Sequence, residues 1–479
     1  MVWLLFLCVR EVRGMMQLLA AINGAVWGPL GVGLLAAAGL WMTVRTGWFQ
    51  LRRLPLWLGQ TLGAILRRSP DLSREDAGSI SPLQSLCTAL GATIGTGSIV
   101  GVGAALIGGG PGAIFWMWVM AFFGMMTAYA ENLLGLRYRR FWGGAWHGGP
   151  MYYLSAGVGA LPHGRRAGRA LAVSFALLCV LASFGIGNLS QVNAIAASLE
   201  GAFGLPPLLT GAGLALLTGL VLLRGMKGVA SAAGKLVPFM AVFYLAGAAL
   251  VILTHAAALP AALEAIFRGA LGLRAAGGGI VGYGAAAAVQ WGFMRGSFSS
   301  EAGLGSSAIA SGPASTGEPA RQGMWGIFQV FVSTFLVCTM TALAMLTAGL
   351  VDLDTGRMLS PSPAPGLAGE AFSSALGGLG PGFVAGAVLL FAWSSVLGWS
   401  QYGAECWGYL FGPGTVWAYR LAFLALILAG ATADFTAAWA LSDTFNGLMM
   451  LPNLIGLFAL SGEVAEETRQ YLRRLDQSG

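Results

Sequence analysis

The sequence predicts an all-α polytopic membrane protein, and three observations carry that assignment. Only 9% of the 479 residues are charged, against roughly 25% in soluble globular chains. So little charge cannot clothe a water-soluble fold of this size. Mean hydropathy is +0.74, and apolar residues gather in runs of the ~20 residues that a helix needs to cross a bilayer. Finally, 74 of the 479 residues are Gly, about twice the usual ~7%. These glycines sit among strongly apolar neighbours with no three-residue period, which excludes collagen and disorder. They point to helices packed backbone to backbone, with weak points in the helical ladder.

About 11 transmembrane helices are expected, near residues 26–43, 82–107, 111–135, 170–197, 207–223, 231–254, 279–308, 323–350, 382–403, 415–432 and 436–460. Residues 48–68 carry aromatics and paired arginines, the pattern of an amphipathic interfacial helix. At the N-terminus, MVWLLFLCVREVRGMM places its apolar run before its charges, the reverse of a signal peptide. Met15 or Met16 is the expected start.

Orientation follows from the bias of Lys and Arg between spans. Arg45, Arg52, Arg53, Arg67, Arg68 and Arg74 follow span 1, and Arg137, Arg139, Arg140, Arg165, Arg166 and Arg169 follow span 3. Arg224 and Lys227 follow span 5, and Arg469, Arg473 and Arg474 follow span 11. With eleven spans these all fall on one side. The opposite loops hold only Arg268, Arg274 and Arg357, plus Arg10 and Arg13 in the N-terminal segment. The N-terminus is therefore expected outside and the C-terminus in the cytoplasm.

The pI near 9.4 reflects this topology rather than nucleic-acid binding. Cys8, Cys87, Cys179, Cys338 and Cys406 lie singly, and His147, His163 and His255 are far apart. Neither a transition-metal centre nor a disulfide framework is expected.

Two apolar segments carry breaks that an anchor helix does not need. One is the run from Gly91 to Gly101, GATIGTGSIVG, and the other the run from Gly296 to Ser306, GSFSSEAGLGS. Unwound backbone at membrane depth persists only where it is buried in protein or lines a cavity. Its free carbonyls can hold a small cation, and a half-helix N-terminus can hold a carboxylate. Close packing is an equal reading of the first run alone, since Gly91/Gly95 and Gly97/Gly101 each form a GxxxG pair. Recurrence tips the balance, because spans 2 and 7 each open a set of five helices. Five is odd, so the second set is inverted. The expected organisation is a peripheral and interfacial segment over 1–80, a first repeat over 81–256, an inverted repeat over 257–462 and a cytoplasmic tail over 463–479. Paired breaks in inverted repeats mark a secondary transporter's binding site.

The run from Gly95 to Leu134, with HGGPMYYL at His147, FGIGNLSQ at Phe184, RGSFSSEAGLGSSAIA at Arg295, SSVLGWSQYG at Ser394 and DTFNGLMMLPNLIGL at Asp443, resembles the alanine or glycine:cation symporter family. The resemblance covers about Trp27 to Leu460. It implies the amino acid–polyamine–organocation superfamily architecture, a five-plus-five inverted repeat of the leucine-transporter type with two broken helices. It further implies sodium-coupled, occasionally proton-coupled, uptake of alanine, glycine or a similar small neutral amino acid. Carried over by motif, the substrate residues are Thr96, Gly97, Ser98, Gln191, Ser395 and Trp399. Sodium falls to Thr93, Ile94 and Ser394, with Arg295, Ser299, Glu301 and Gly303 in the second broken helix. Three positions depart from the family pattern: Ser98 and Ser300 stand where it usually has Asn, and Ala128 where it commonly has Lys.

Each residue also has a bland role. Serine hydroxyls in a span often bond back to helix carbonyls. Gln191 could bridge two helices, and Trp399 could be a belt aromatic, although it shares the face of Ser395 four residues earlier. Arg295 and Glu301 would form a mutual ion pair or brace the unwound loop, and Glu131 would brace the cytoplasmic side near the arginine cluster. Asp443 and Asn446 could belong to a gate. The expected protein is a monomeric sodium symporter in the cell membrane, without a cofactor. An amino-acid sensor, or a symporter for a different small solute, is the alternative that Ser98 raises. No grouping of His, Cys or carboxylates supports an enzyme.

Overall fold

The computed structural model describes residues 17–73, 75–271 and 280–478. Met15, Met16, Arg10, Arg13, Arg74 and Arg274 lie outside them. Among the described residues, eight helices are long and apolar enough to cross a membrane. The other three expected crossings are the two broken segments and Pro207–Leu222, which at 16 residues is shorter than the usual ~20.

Helix α1 (Pro29–Arg45) leads to the expected interfacial segment, which is not one helix but three short ones, Phe49–Arg52, Leu54–Gln60 and Leu62–Leu66. Pro55 cannot donate to the preceding turn, so the helix must restart there. Helix α2 (Pro82–Thr93) begins with a reciprocal cap between Ser81 and Gln84 and ends at the first break. A short turn, Thr96–Ser98, leads into α3 (Val100–Gly109), and α4 (Gly112–Arg137) returns. Strands β1 (Arg140–Trp142) and β2 (Ala145–His147) form a hairpin turned by Gly143 and Gly144, whose φ of 59° and 80° suit residues without a Cβ.

Helix α5 (Gly164–Phe184) passes through a π turn, Gly185–Leu189, into α6 (Ser190–Phe203). Helices α7 (Pro207–Leu222) and α8 (Gly225–Thr254) complete the first set. An amphipathic helix, α9 (Leu259–Ala270), precedes the second broken pair, α10 (Ile280–Ser300) and α11 (Ser306–Ser311). Next come α12 (Pro319–Val330), a π segment Phe331–Cys338, and α13 (Thr339–Thr347). The chain closes with α14 (Ala364–Leu376), α15 (Gly380–Phe411), α16 (Val416–Thr432) and α17 (Phe435–Ser478).

Packing sorts these helices into two groups. Helix α4 lies along α10 and α12, and α3 packs on α10. Helices α5 and α6 pack on α15, α6 and α7 on α16, and α5 on α17. Helix α2 touches both groups, through α11 and α12 on one side and α15 on the other, and packs on α8 as well. The first break therefore sits at the seam.

Candidate functional site

The first break leaves two carbonyls without their helical donors. Gly91 and Ala92 would receive the N–H groups of Gly95 and Thr96 in a continuous helix. Instead Gly95 N donates to Thr93 O at 3.0 Å, and Thr96 N donates to Gln191 Oε1 at 3.0 Å. Both serines of α15 turn to the freed oxygens. The Ser394 hydroxyl donates to Gly91 O at 2.9 Å and the Ser395 hydroxyl to Gly91 O at 3.0 Å and Ala92 O at 2.8 Å. Close approach depends on Gly95, where a Cβ would lie 2.4 Å from Ser395 Oγ.

Four neutral oxygens thus converge, a donor set that suits a hard monovalent cation that must also leave. The position differs from the Thr93 and Ile94 carbonyls expected from sequence. The Thr93 carbonyl is taken by Gly95 N, and the hydroxyls meet the break two residues earlier. Ser395, expected on the substrate, shares the same carbonyls as Ser394.

The remaining pocket candidates are brought together around the turn Thr96–Ser98, each of them buried. Gln191 faces it, but both ends of its amide engage backbone. Its Oε1 takes the Thr96 N–H, and its Nε2 donates to Ile186 O in the π turn at 2.9 Å. It positions the break rather than offering a free group. Ser98 Oγ lies 3.2 Å from Ser299 Oγ, which in turn lies 2.8 Å from Cys338 Sγ. This chain joins both breaks to the π segment of span 8. Gly97 packs on the Phe298 ring, 2.7 Å from where its Cβ would be. The Thr96 hydroxyl is buried with no partner among the described residues. Trp399 is fully buried, seated over Gly187 of the π turn, where a Cβ would come within 2.2 Å of it. It is not a belt aromatic.

At the second break, protein acids take the freed groups. Glu301 and Gly303 adopt φ of 55° and 88°, left-handed backbone that a non-glycine residue such as Glu301 holds only when its surroundings fix it. Glu301 accepts from Trp399 Nε1 at 2.8 Å and from the Ser306 hydroxyl at 2.6 Å. Glu131 of α4 accepts from Gly305 N at 3.0 Å, Asn453 Nδ2 at 2.7 Å and the Ser307 hydroxyl at 3.3 Å. Asn453 also donates to Gly303 O at 2.9 Å and receives the Tyr153 hydroxyl. Glu131 is thus a brace, but of the second break and not of the arginine cluster.

Arg295 and Glu301 do not pair with each other. Arg295 grips both carboxylate oxygens of Asp443 at 3.1 and 3.0 Å and lies against the rings of Trp291, Phe298 and Trp439. Phe298 stacks on Trp439 with centroids 5.4 Å apart. Beyond this layer a cavity of about 420 Å³ is lined by Asn23, Val100, Trp291, Arg295 and Asp443. Asn446, one turn below Asp443, is buried with neither amide atom partnered among the described residues.

On the far side of the breaks, Gln322 donates to Ser85 and Ser311 at 3.2 and 3.1 Å, and Ser85 donates to Ala310 O. Arg139 donates to Ala314 O at 2.7 Å. Polar contacts thus lie on both sides of the breaks. Sequence reasoning missed Cys338, Asn453 and Gln329, whose Nε2 donates to Thr93 Oγ1 at 2.7 Å. Only Asn453 lay inside a recognisable motif.

Comparison with known proteins decides the family: the profile of the sodium:alanine symporter family matches residues 12–479. The chain belongs to the sodium:alanine symporter family. Within it, the sodium/alanine symporter AgcS of Methanococcus maripaludis is 42% identical over 463 residues, covering 95% of this chain and 97% of AgcS. The probable sodium/glutamine symporter GlnT of Bacillus subtilis is 34% identical, covering 94% and 90%. A crystal structure of MhsT in complex with L-phenylalanine shares the fold, with a TM-score of 0.52 at 14% identity over 83% of this chain and 99% of MhsT. The architecture is therefore of the leucine-transporter type. The protein is a multi-pass membrane protein of a sodium-coupled amino-acid symporter family, not an enzyme.

Proposed function

We propose that this symporter takes up a small neutral amino acid, alanine or glycine, with sodium, by alternating access. The observation that carries the reading is the meeting of Ser394 and Ser395 with the freed carbonyls of Gly91 and Ala92 at the seam of the two helix groups. A cation there ties α2 to α15 and favours the substrate-ready break. By linkage the substrate then favours the cation equally. The amino acid's charged ends fit the unwound backbone at Thr96–Ser98, while Phe298 and Trp399 limit its side chain. Ser98, Ser299 and Cys338 form the polar wall.

Rocking of spans 2, 3, 7 and 8, the first two helices of each five-helix repeat, against the remaining helices would open each side in turn. Repeat boundaries at 81–256 and 257–462 are supported by the two breaks. The arginine-rich loops support an external N-terminus and a cytoplasmic C-terminus. On that orientation Arg295 and Asp443 close the outer side. One charge crossing about 100 mV supplies ~2.3 kcal/mol, roughly fifty-fold accumulation before any sodium gradient. One ion per substrate thus suffices. A monomer contains the whole pathway.

Ser98 supports a second reading, a larger or more polar amino acid such as glutamine, because its hydroxyl reaches less far than the Asn amide usual there. Uptake of labelled alanine, glycine and glutamine into proteoliposomes, with and without inward sodium, tests both. Uptake indifferent to sodium and protons would exclude symport, and binding without flux would indicate a sensor.

A further inference from the structure

The sequence contains two lysines, Lys227 and Lys235, and both line a single cavity of about 640 Å³ between α7 and α8. Arg224, Ser231, Leu220 and Leu223 line it with them. Among the described residues, neither lysine nor Arg224 forms an ion pair or side-chain hydrogen bond, whereas Arg137, Arg321 and Arg474 pair with carboxylates and Arg139 donates to a carbonyl. Three cations gathered at the end of a membrane-spanning hairpin form a site that an anionic group from outside the chain would complement.

The surroundings say what brings it. Lys227, Ser231 and Lys235 recur every four residues, on one exposed stripe of α8. The same stripe continues through Phe239 and Val242, both exposed, flanked on α7 by exposed Leu216, Leu220 and Leu223. Polar for its first two turns and apolar beyond, it has the profile of a phospholipid lying along a helix. Lys235 sits ~15 Å above the start of α8 at 1.5 Å per residue, and its flexible stem lets the amine reach back to headgroup level. Pro238 cannot donate to the Gly234 carbonyl, leaving an acceptor beside Lys235 for a headgroup hydroxyl.

We infer that this groove binds one anionic phospholipid of the surrounding bilayer, its phosphate held by Arg224, Lys227 and Lys235 and its acyl chains lying on Phe239, Val242 and the α7 leucines. In the orientation proposed above it faces the cytoplasmic leaflet, where basic pockets between spans recognise such headgroups. The opposite face of α8 packs on α2: Val237 is 3.1 Å from where a Cβ on Gly91 would sit. A bound lipid therefore backs the helix whose end carries the Gly91 carbonyl of the ion site.

The test uses the full-length purified protein. Native mass spectrometry and thermal unfolding are read with dioleoyl phosphatidylglycerol, with dioleoyl phosphatidylcholine and with inorganic phosphate. The expected result is a retained phosphatidylglycerol adduct and a Tm raised by ~2 °C or more, with neither effect from phosphatidylcholine or phosphate. Lys235→Gln alone should reduce the preference about fivefold, and R224Q/K227Q/K235Q by about a hundredfold, each basic group contributing about fivefold near an anionic headgroup. Equal retention of both lipids by the wild type, stabilisation by phosphate alone, or an undiminished preference in Lys235→Gln would each overturn the assignment. The wild-type arms decide even if the triple variant fails to fold.

Discussion

The two helix breaks share a position in their halves of the chain but are held differently. Among the described residues, the freed carbonyls of Gly91 and Ala92 at the first break meet serine hydroxyls alone, and the Thr96 hydroxyl has no partner. At the second, two buried carboxylates, Glu131 and Glu301, collect the backbone N–H of Gly305 together with the side chains of Ser306, Ser307, Asn453 and Trp399. A neutral hydroxyl can turn from a carbonyl to a cation at small cost, whereas a buried carboxylate cannot surrender its donors. The first break is thus suited to cargo that comes and goes, and the second to bearing load.

That contrast sets the order of expected effects. Glu131→Ala strips three donors of their acceptor and should cost at least ~3 kcal/mol, seen as a lowered Tm and lost uptake. A stable, active variant would mean that the second break is not held by this acid. Asp443→Asn leaves Arg295 buried without its counter-charge and should cost about 3 kcal/mol in stability, together with faster labelling of a cysteine placed at Asn23. Unchanged stability and labelling would remove the pair from the outer closure.

Ser394→Ala removes one hydroxyl from the cation's shell. It should raise the sodium concentration for half-maximal uptake about tenfold, with little change in Tm measured without sodium. The reverse pattern would make the first break structural, like the second. The smallest effect belongs to Ser98→Asn, which should shift preference between alanine and glutamine by several-fold, on the scale of one hydrogen bond. Identical specificity would show that Ser98 does not face substrate.

The breaks themselves were legible because glycine and hydroxyl residues stand out against an apolar run. Ser394 and Ser395 were legible for the same reason. Their exact partners were not, since which carbonyls come free depends on where Gly95 and Thr96 send their N–H groups. Sequence places Arg295 beside Glu301, six residues away, yet the left-handed backbone at Glu301 turns its carboxylate toward Trp399 and Ser306. Asp443, its true partner, lies 148 residues on. Glu131 meets Asn453 across 322 residues, a distance no local pattern can register. Gln329 and Cys338 lie just before and at the end of a π segment whose sequence, FVSTFLVC, contains neither Gly nor Pro to announce it.

Helix α17 is 44 residues long, about 66 Å at 1.5 Å per residue, so it leaves the bilayer and continues past it. There Glu463 pairs with Arg137 at 3.1 Å and accepts from the Tyr138 hydroxyl at 2.7 Å, Thr468 lies 2.9 Å from Tyr129 Oη, and Arg474 pairs with Glu318 at 3.0 Å. Rooted in one helix group and fastened to the other, the extension links the two on that side of the protein. A 10° tilt about the bilayer midplane would swing its tip by about 8 Å, given an arm of ~45 Å for 30 residues. A fluorophore near residue 476 and a second beside Arg139 would report any such tilt as an optical signal, without any label near the cargo.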